Sequence, residues 1–470
     1  MNRRRMLVVV AVLVLGTALV IGRAVQVSIV QHDKWQRLAL KQQREVIEAS
    51  GPRGTISTAD GYVLATSIER VAIQVNTKFL AYPELFVHAA APILGVSESE
   101  LQRRLGHGAR SIWLAKRVSR EVGEQIRSLA TSSVALMPDF ARVYPQGPLA
   151  SPVVGFVGFE ELNAIGRAGL EYSYDAYLSG EPEQYLSIND AIRRTVRVER
   201  LHRGRAGLDL ELTLNAKLQA RCETVLDAAI DEYDARAASA VVVDARSGQI
   251  LALASLPSFD PANPGATKAE NWRLRPVQDA FEPGSTVKPF VAAAALSAGV
   301  VRPGETFECL ERGTRVAGHW VRDHAEPGIY TLDEVVVYSA NVGIIEIGER
   351  VDSNSLWETF DAFGCGRRSG IDFPAETRGL LPETRTWSKM TSSGFALGQE
   401  LTMSPLQMAM AYAAIANGGW LLKPTLIASR SAANGEGGKS LRTRVMDERM
   451  ARRLQTMLEG VVVDGTGTLA

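Results

Sequence analysis

The sequence predicts a multi-domain α+β protein tethered by a single N-terminal membrane helix. Three observations carry this expectation. At 470 residues the chain exceeds one ordinary domain. Its 46% hydrophobic and 22% charged content are those of a folded protein rather than a disordered one. Its apolar pattern changes along the chain, from one uninterrupted run, to mixed short strands and helices, to a hairpin followed by amphipathic helices. These changes divide it into residues 1–23, 24–205 and 206–470.

The first segment opens "MNRRR" and continues as an uncharged aliphatic run from Met6 to Gly22, stopped by Arg23. That run is at the short end for a bilayer-spanning helix. It is longer than a signal-peptide core, and no small-x-small cleavage site follows before Gln26, so an uncleaved anchor is expected. Arg3, Arg4 and Arg5 place its start in the cytoplasm and the bulk of the chain outside the membrane. No later run repeats it, so a single pass is expected.

In the second segment, "GPRGTISTADGYVLATS" (51–67) reads as a strand, a turn at Asp60-Gly61 and a second strand. "SESELQRRLG" (97–106) and "SREVGEQIRSLA" (119–130) read as amphipathic helices opened by serines. Six arginines crowd into 193–205 against Glu199 alone. A solvated strand edge or linker explains them more simply than a grip on an anionic polymer.

In the third segment, strand alternation at 208–214 gives way to a helix that Asn215 caps. "SAVVVDARSGQILALASLP" (239–257) is a hairpin around Arg246-Ser247-Gly248. Its apolar face needs helices, and "VKPFVAAAALSAG", "TLDEVVVYS", "SPLQMAMAYAAIANGG" and "MDERMARRLQTMLEG" can supply them. In the third of these, Ser404 and Gln407 form a capping box, Pro405 sits at the first helical position and Gly418-Gly419 ends the helix. In the fourth, Met446, Met450, Leu454 and Leu458 share a face. "SAANGEGGKS" (431–440) reads as a surface loop.

Composition excludes several classes. Net charge is zero, so nothing argues for nucleic acid. Cys222, Cys309 and Cys365 are far apart and odd in number, which fits neither a disulfide framework nor a zinc site. The six histidines include no HExxH pair.

The chemistry centres on Ser285-Thr286-Val287-Lys288, the one SxxK in the chain. Pro289 is tolerated only in a first helical turn, so a helix is expected to begin at about Ser285. The i, i+3 spacing then sets Ser285 and Lys288 side by side. A serine hydroxyl needs a base to become a nucleophile, and a desolvated lysine can be that base. Alone, SxxK fits a capping serine and a solvated lysine equally well. Ser339-Ala340-Asn341 follows at the end of a helix that Thr331 and Glu334 open. There, a serine can relay a proton and an asparagine can bind an amide. The competing reading is a polar helix–helix turn. Ser187-Ile188-Asn189 has the same pattern, so the tripeptide by itself is cheap.

Taken together, "VQDAFEPGSTVKPF", "YSANVGIIEIGERV", "FGCGRRSGIDFPAETRGLLP" and "SSGFALGQELTMSPLQMAMAYAAIANGG" resemble the transpeptidase domain of class B penicillin-binding proteins. "RGTISTADGYVLATS" and "GLEYSYDAYLSG" resemble their pedestal, or dimerisation, domain, and "FEPGSTVKP" leans toward the cell-division branch over the elongation branch. The resemblance implies a mixed pedestal at 24–205 and, at 206–470, a β-lactamase-like sheet flanked by helices. It implies a D,D-transpeptidase that cross-links peptidoglycan stem peptides through a serine acyl-enzyme, with β-lactams acylating the same serine. Ser285 would be the nucleophile, Lys288 its base, Ser339 a proton relay and Asn341 a substrate-amide partner. No metal or cofactor is implied. The implied partners are a membrane-embedded glycan polymerase and division proteins, at the bacterial cytoplasmic membrane. A soluble β-lactamase would lack the anchor and pedestal, and a bifunctional enzyme would need a glycosyltransferase motif that 24–205 does not contain. A non-catalytic scaffold or penicillin sensor of the same fold is the remaining alternative.

The chain ends "VVVDGTGTLA", where Gly465-Thr466-Gly467-Thr468 resembles a Lys-Thr-Gly strand with glycine for lysine. By the family pattern this stretch is the turn ahead of that strand. The expectation is a C-terminally incomplete form, two of three motifs present, with catalysis incomplete.

Overall fold

The computed structural model describes residues 3–36, 44–49, 51–106, 111–160, 162–189, 195–316, 318–324, 326–388, 390–430 and 442–469. The expected loop at 431–440 and Arg193 and Arg194 of the arginine run lie outside these residues.

Helix α1 (Arg3–Val25) runs straight through Arg23 and continues into a π-helical turn, Gln26–Val30. The apolar stretch is therefore longer than the run ending at Gly22. Residues 9–30 are long and apolar enough to cross a membrane, and none of them is buried among the described residues.

The strand–turn–strand at 51–67 forms as β1 (Ile56–Ser57) and β2 (Val63–Asn76). β2 is long enough to pair with β1 near its start, with β3 (Ser111–Val118) near its end and with β4 (Val134–Val143) along most of its length. The two serine-opened helices form at Glu98–Leu105 and Arg120–Leu129, each capped by its serine. They bury Leu101 and Ile126 against the β2–β3 face, as their amphipathic period requires.

Beneath this sheet sits a buried ionic network. Glu171 is fully buried and accepts from Arg53 Nε (3.0 Å) and Arg142 Nε (2.6 Å). Arg53 Nη1 also reaches Asp175 at 2.7 Å, and Arg142 Nη1 donates to the Gly54 carbonyl at 2.7 Å. Two guanidinium groups thus face two carboxylates, tying residues 53–54 to 171–175. Removing one partner of such a set strands an uncompensated buried charge. Glu171→Ala is expected to destabilise the fold by about 3–5 kcal/mol, read as a fall in the thermal unfolding midpoint. An unchanged midpoint would show that the network does not hold this region together.

β5 (Leu210–Leu212) pairs in parallel with β1 and antiparallel with β8 (Ile427–Arg430), so one sheet joins strands from both halves of the chain. Asn215 caps α2 (Ala216–Tyr233) as expected. The hairpin forms as β6 (Ala238–Val243) and β7 (Ile250–Leu256). All four expected helices form: α3 (Lys288–Ala298), α4 (Leu332–Val337), α6 (Pro405–Ala416) and α7 (Glu448–Val463), with α5 (Asn341–Arg350) between the second and third. Both capping boxes, Thr331 with Glu334 and Ser404 with Gln407, are made in both directions.

Two expectations need correction. Leu454 on α7, Leu458, and Met446 just before the helix pack on the core as expected, but Ala451 and Met457 are buried with them and Val461 packs beside them, while Met450 lies at the margin. A stripe of larger residues alone therefore misses the small Ala451, which packs where the helices approach closely. The α-helix after SxxK also begins at Lys288, because Gly284–Val287 form a tighter 3₁₀ turn first.

α3 is the centre of the second half. Its residues from Lys288 to Ala295 are all buried, so it is enclosed rather than amphipathic. Its alanines let α5, α7 and the helix Ser353–Ala362 approach it closely. Phe290 stacks on Phe363 at 4.3 Å and meets Phe360 edge-on at 6.1 Å. Burying Phe290 contributes about 1.5–3 kcal/mol. The anchor for SxxK is thus rigid where it carries Lys288 and open where it carries Ser285.

Candidate active site

Ser285 is exposed at the tip of the 3₁₀ turn, and Lys288 is 1% exposed at its base. Two contacts fix this turn from outside. Tyr412 on α6 donates its hydroxyl to the Thr286 carbonyl at 2.7 Å, and Gly284 N–H donates to the Gly398 carbonyl at 3.1 Å. Gly398 has φ +72°, and a Cβ there would lie 2.0 Å from the Gly284 carbonyl oxygen. Only glycine satisfies both the left-handed backbone and that approach. Gly398→Ala should therefore displace the Ser285 turn and cost more than about 1 kcal/mol. The check is the thermal unfolding midpoint, which should fall; an unchanged midpoint would refute the close approach.

The Ser339-Ala340-Asn341 turn connects α4 to α5. It is a polar helix–helix turn, and it is also brought against Lys288. Lys288 Nζ donates to the Ser339 carbonyl (2.5 Å), to Ser339 Oγ (3.0 Å) and to Asn341 Oδ1 (2.9 Å). Three acceptors match the three N–H donors of an ammonium. Ser339 holds φ +55°, a conformation that strains a non-glycine residue by about 1–3 kcal/mol. That sharp reversal aims both oxygens of Ser339 at one amine. The look-alike Ser187-Ile188-Asn189 lies instead in strand Glu183–Asn189, paired with Arg44–Ala49.

Burial pulls the Lys288 pKa down to about 8, against the opposing charge of Asp323 and the Cys309 thiol. A buried amine poised there is available as a base near neutrality. Ser285, Ser339 and Asn341 open onto one cleft of about 910 Å³, whose rim includes Trp320, His324 and Gln399. Thr466 lines it too, because residues 464–469 fold as a turn against Val337 rather than as a strand. The expected turn at Gly465–Thr468 is therefore observed.

Sequence reasoning missed three contributors. Gly398 and Tyr412 act through backbone contacts that no motif encodes. Asp323, in "HWVRDH", accepts from the backbone N–H of Asn341 and, at 3.0 Å, of Val342. Its signal was present only indirectly: Ala340, at the N-cap of α5, has no side chain able to cap it.

Comparisons with known proteins cover both halves of the chain. The family model described as "Penicillin binding protein transpeptidase domain" matches residues 238–470, and "Penicillin-binding Protein dimerisation domain" matches 48–212. Peptidoglycan D,D-transpeptidase FtsI of Escherichia coli (strain K12) is 29% identical over 97% of this chain and 76% of its own length. Probable peptidoglycan D,D-transpeptidase PenA of Neisseria meningitidis is 30% identical over 88% of this chain and 71% of its own. A chain from "Structural coordination of polymerization and crosslinking by a peptidoglycan synthase complex" shares the fold, with TM-score 0.72 and 24% identity, covering 100% of this chain and 86% of that one.

Proposed function

The chain belongs to the penicillin-binding protein transpeptidase family, and on that premise we propose that Ser285 is its acylated nucleophile and Lys288 the base that activates it. The protein is a serine-type peptidoglycan D,D-transpeptidase with the two-part fold of class B penicillin-binding proteins. The observation that carries the residue assignment is the buried Lys288 amine, bonded to both polar residues of the Ser339–Asn341 turn at the foot of an exposed serine.

As an ammonium, Lys288 has every N–H committed and no lone pair. As a neutral amine it keeps two donors and gains a lone pair. The two donors can hold Ser339 while the lone pair takes the Ser285 proton. Asn341 Oδ1 is then released to accept from a substrate amide. Ser285 Oγ attacks the penultimate D-Ala carbonyl of a stem pentapeptide, and the C–N bond to the terminal D-Ala breaks. The proton returns through Ser339 to the departing amine. An amine from a neighbouring stem peptide then attacks the acyl-enzyme, forms the cross-link and regenerates Ser285. In a β-lactam the cleaved amide is part of a ring, so the leaving group stays attached and the acyl-enzyme persists.

The remaining assignments extend this reading. Likeness to FtsI and to a chain of a synthase complex supports a septal role beside a membrane-embedded glycan polymerase. The apolar N-terminal helix behind three arginines supports a single-pass anchor with a cytoplasmic N-terminus and the domains, 24–205 and 206–470, outside the membrane. Membranes containing the full-length protein are expected to show it labelled by a fluorescent penicillin. If it stayed dark while other penicillin-binding proteins in those membranes labelled, a non-catalytic scaffold would be the better reading.

A further inference from the structure

α5 starts at Asn341, directly under Lys288, and the N–H groups of its first turn have no acceptor within the helix. Helices usually meet this need with a Ser, Thr, Asp or Asn at the N-cap. Here the N-cap is Ala340, which is fully buried and makes no side-chain bond. The acceptor comes from another segment instead. Asp323 Oδ1 takes the N–H of Asn341 and, at 3.0 Å, that of Val342. The neighbouring Arg322 carbonyl accepts from Asn341 Nδ2 at 3.0 Å. With its backbone and its amide nitrogen both tied to residues 322–323, Asn341 has its Oδ1 turned to Lys288.

The second oxygen of Asp323 makes a different point. Oδ2 is buried and accepts no hydrogen bond among the described residues. A carboxylate used only as a cap would gain by turning that oxygen to water. The titratable groups on which the Asp323 charge acts are Lys288 from α3, Cys309 from strand Thr306–Cys309 and Tyr330 from strand Gly328–Thr331. Burial pushes the Cys309 thiol up to about 11, helped by the Asp323 charge and by Glu346 on α5. Burial also raises Tyr330, with Cys309, Tyr338, Asp323 and Glu326 adding to it. Both are neutral at physiological pH, so Lys288 is the cation of the group.

We propose that Asp323 is a positioning residue for acylation: it clamps the start of α5, so that Ser339 and Asn341 are held as Lys288's partners. The proposal rests on the assignment of Ser285 and Lys288 above. It adds that their geometry is maintained from a loop outside both motifs.

The test compares Asp323→Ala and Asp323→Asn in the full-length protein, measuring the rate of acylation by fluorescent penicillin from pH 6 to 9 alongside the unfolding midpoint. Asp323→Ala removes cap and charge together and should slow acylation by about 10–100-fold, the scale on which misplacing a reacting group acts. Asp323→Asn keeps an oxygen able to cap both N–H groups, so it should recover most of that rate. It also removes the charge that favours the Lys288 ammonium, so its rate-versus-pH midpoint should fall below the wild-type one. Wild-type rates for Asp323→Ala would overturn the proposal. So would two equally slow variants sharing the wild-type midpoint, the result of a merely structural role. Should Asp323→Ala not fold, the Asp323→Asn midpoint decides, and an unshifted one rejects the proposal. Wild-type protein that never labels would refute the underlying assignment instead, which keeps the two failures apart.

Discussion

Ser285→Ala is expected to abolish penicillin labelling, a loss of about 10³-fold or more, while leaving the unfolding midpoint where it was. The size follows from chemistry. Without Oγ there is no atom to carry the acyl group, and losing a nucleophile removes the advantage of every group arranged around it. Unchanged stability follows from exposure: Ser285 stands at the tip of its turn, and surface substitutions of this kind usually stay within about 0.5 kcal/mol. Nearby hydroxyls cannot readily take its place. Thr286 Oγ1 is engaged with the Pro283 carbonyl at 2.7 Å, and Ser339 Oγ already accepts from Lys288. The measurement is gel fluorescence of membranes holding either form, with a thermal melt of each. A labelled Ser285→Ala protein would sink the assignment of the nucleophile, whatever the family.

Some of the site is written into the sequence locally, and some of it arises only through tertiary packing. Elements defined by local chemistry were legible. Thr331 with Glu334 and Ser404 with Gln407 are capping boxes because four residues suffice to make them. Ser285 and Lys288 were legible as candidates because they stand three residues apart in one short motif. What spacing could not give was the direction in which Lys288 points. The i, i+3 rule sets it beside Ser285, yet its three donors all go to Ser339 and Asn341, across the gap between α3 and the α4–α5 turn. Likewise the 3₁₀ turn at Gly284–Val287 depends on Gly398 and Tyr412, which lie more than a hundred residues away. Asp323 is the clearest case. A helix without its own cap is visible in "SANVG", but the residue that caps it is found only once the end of strand His319–Val321 is seen beside α5. Contacts of that kind are set by tertiary packing, where a single sequence carries no register.

Acylation should also depend on pH through Lys288, and Lys288→Met should remove both the rate and the dependence. Burial lowers the amine to about 8. Below that value the ammonium dominates, its three N–H groups are occupied and no lone pair is available. Above it the neutral amine can accept the Ser285 proton. The rate should therefore level off above pH 8 and fall about tenfold for each unit below it. The sign is that of a base: an acid with the same pKa would lose activity as pH rose. Methionine keeps an unbranched apolar stem one atom shorter than lysine's and carries neither the basic nitrogen nor the charge. Losing a positioned general base costs about 10²–10⁴-fold, so Lys288→Met should acylate that much more slowly at pH 8, with a flat profile. Arginine is a further control, because its guanidinium stays charged throughout this range and should fail for the same reason. A midpoint below pH 6 in the wild type would mean that a carboxylate or histidine governs the step. A Lys288→Met protein that kept the wild-type limb would show that the buried amine holds the Ser339–Asn341 turn in place without taking the proton.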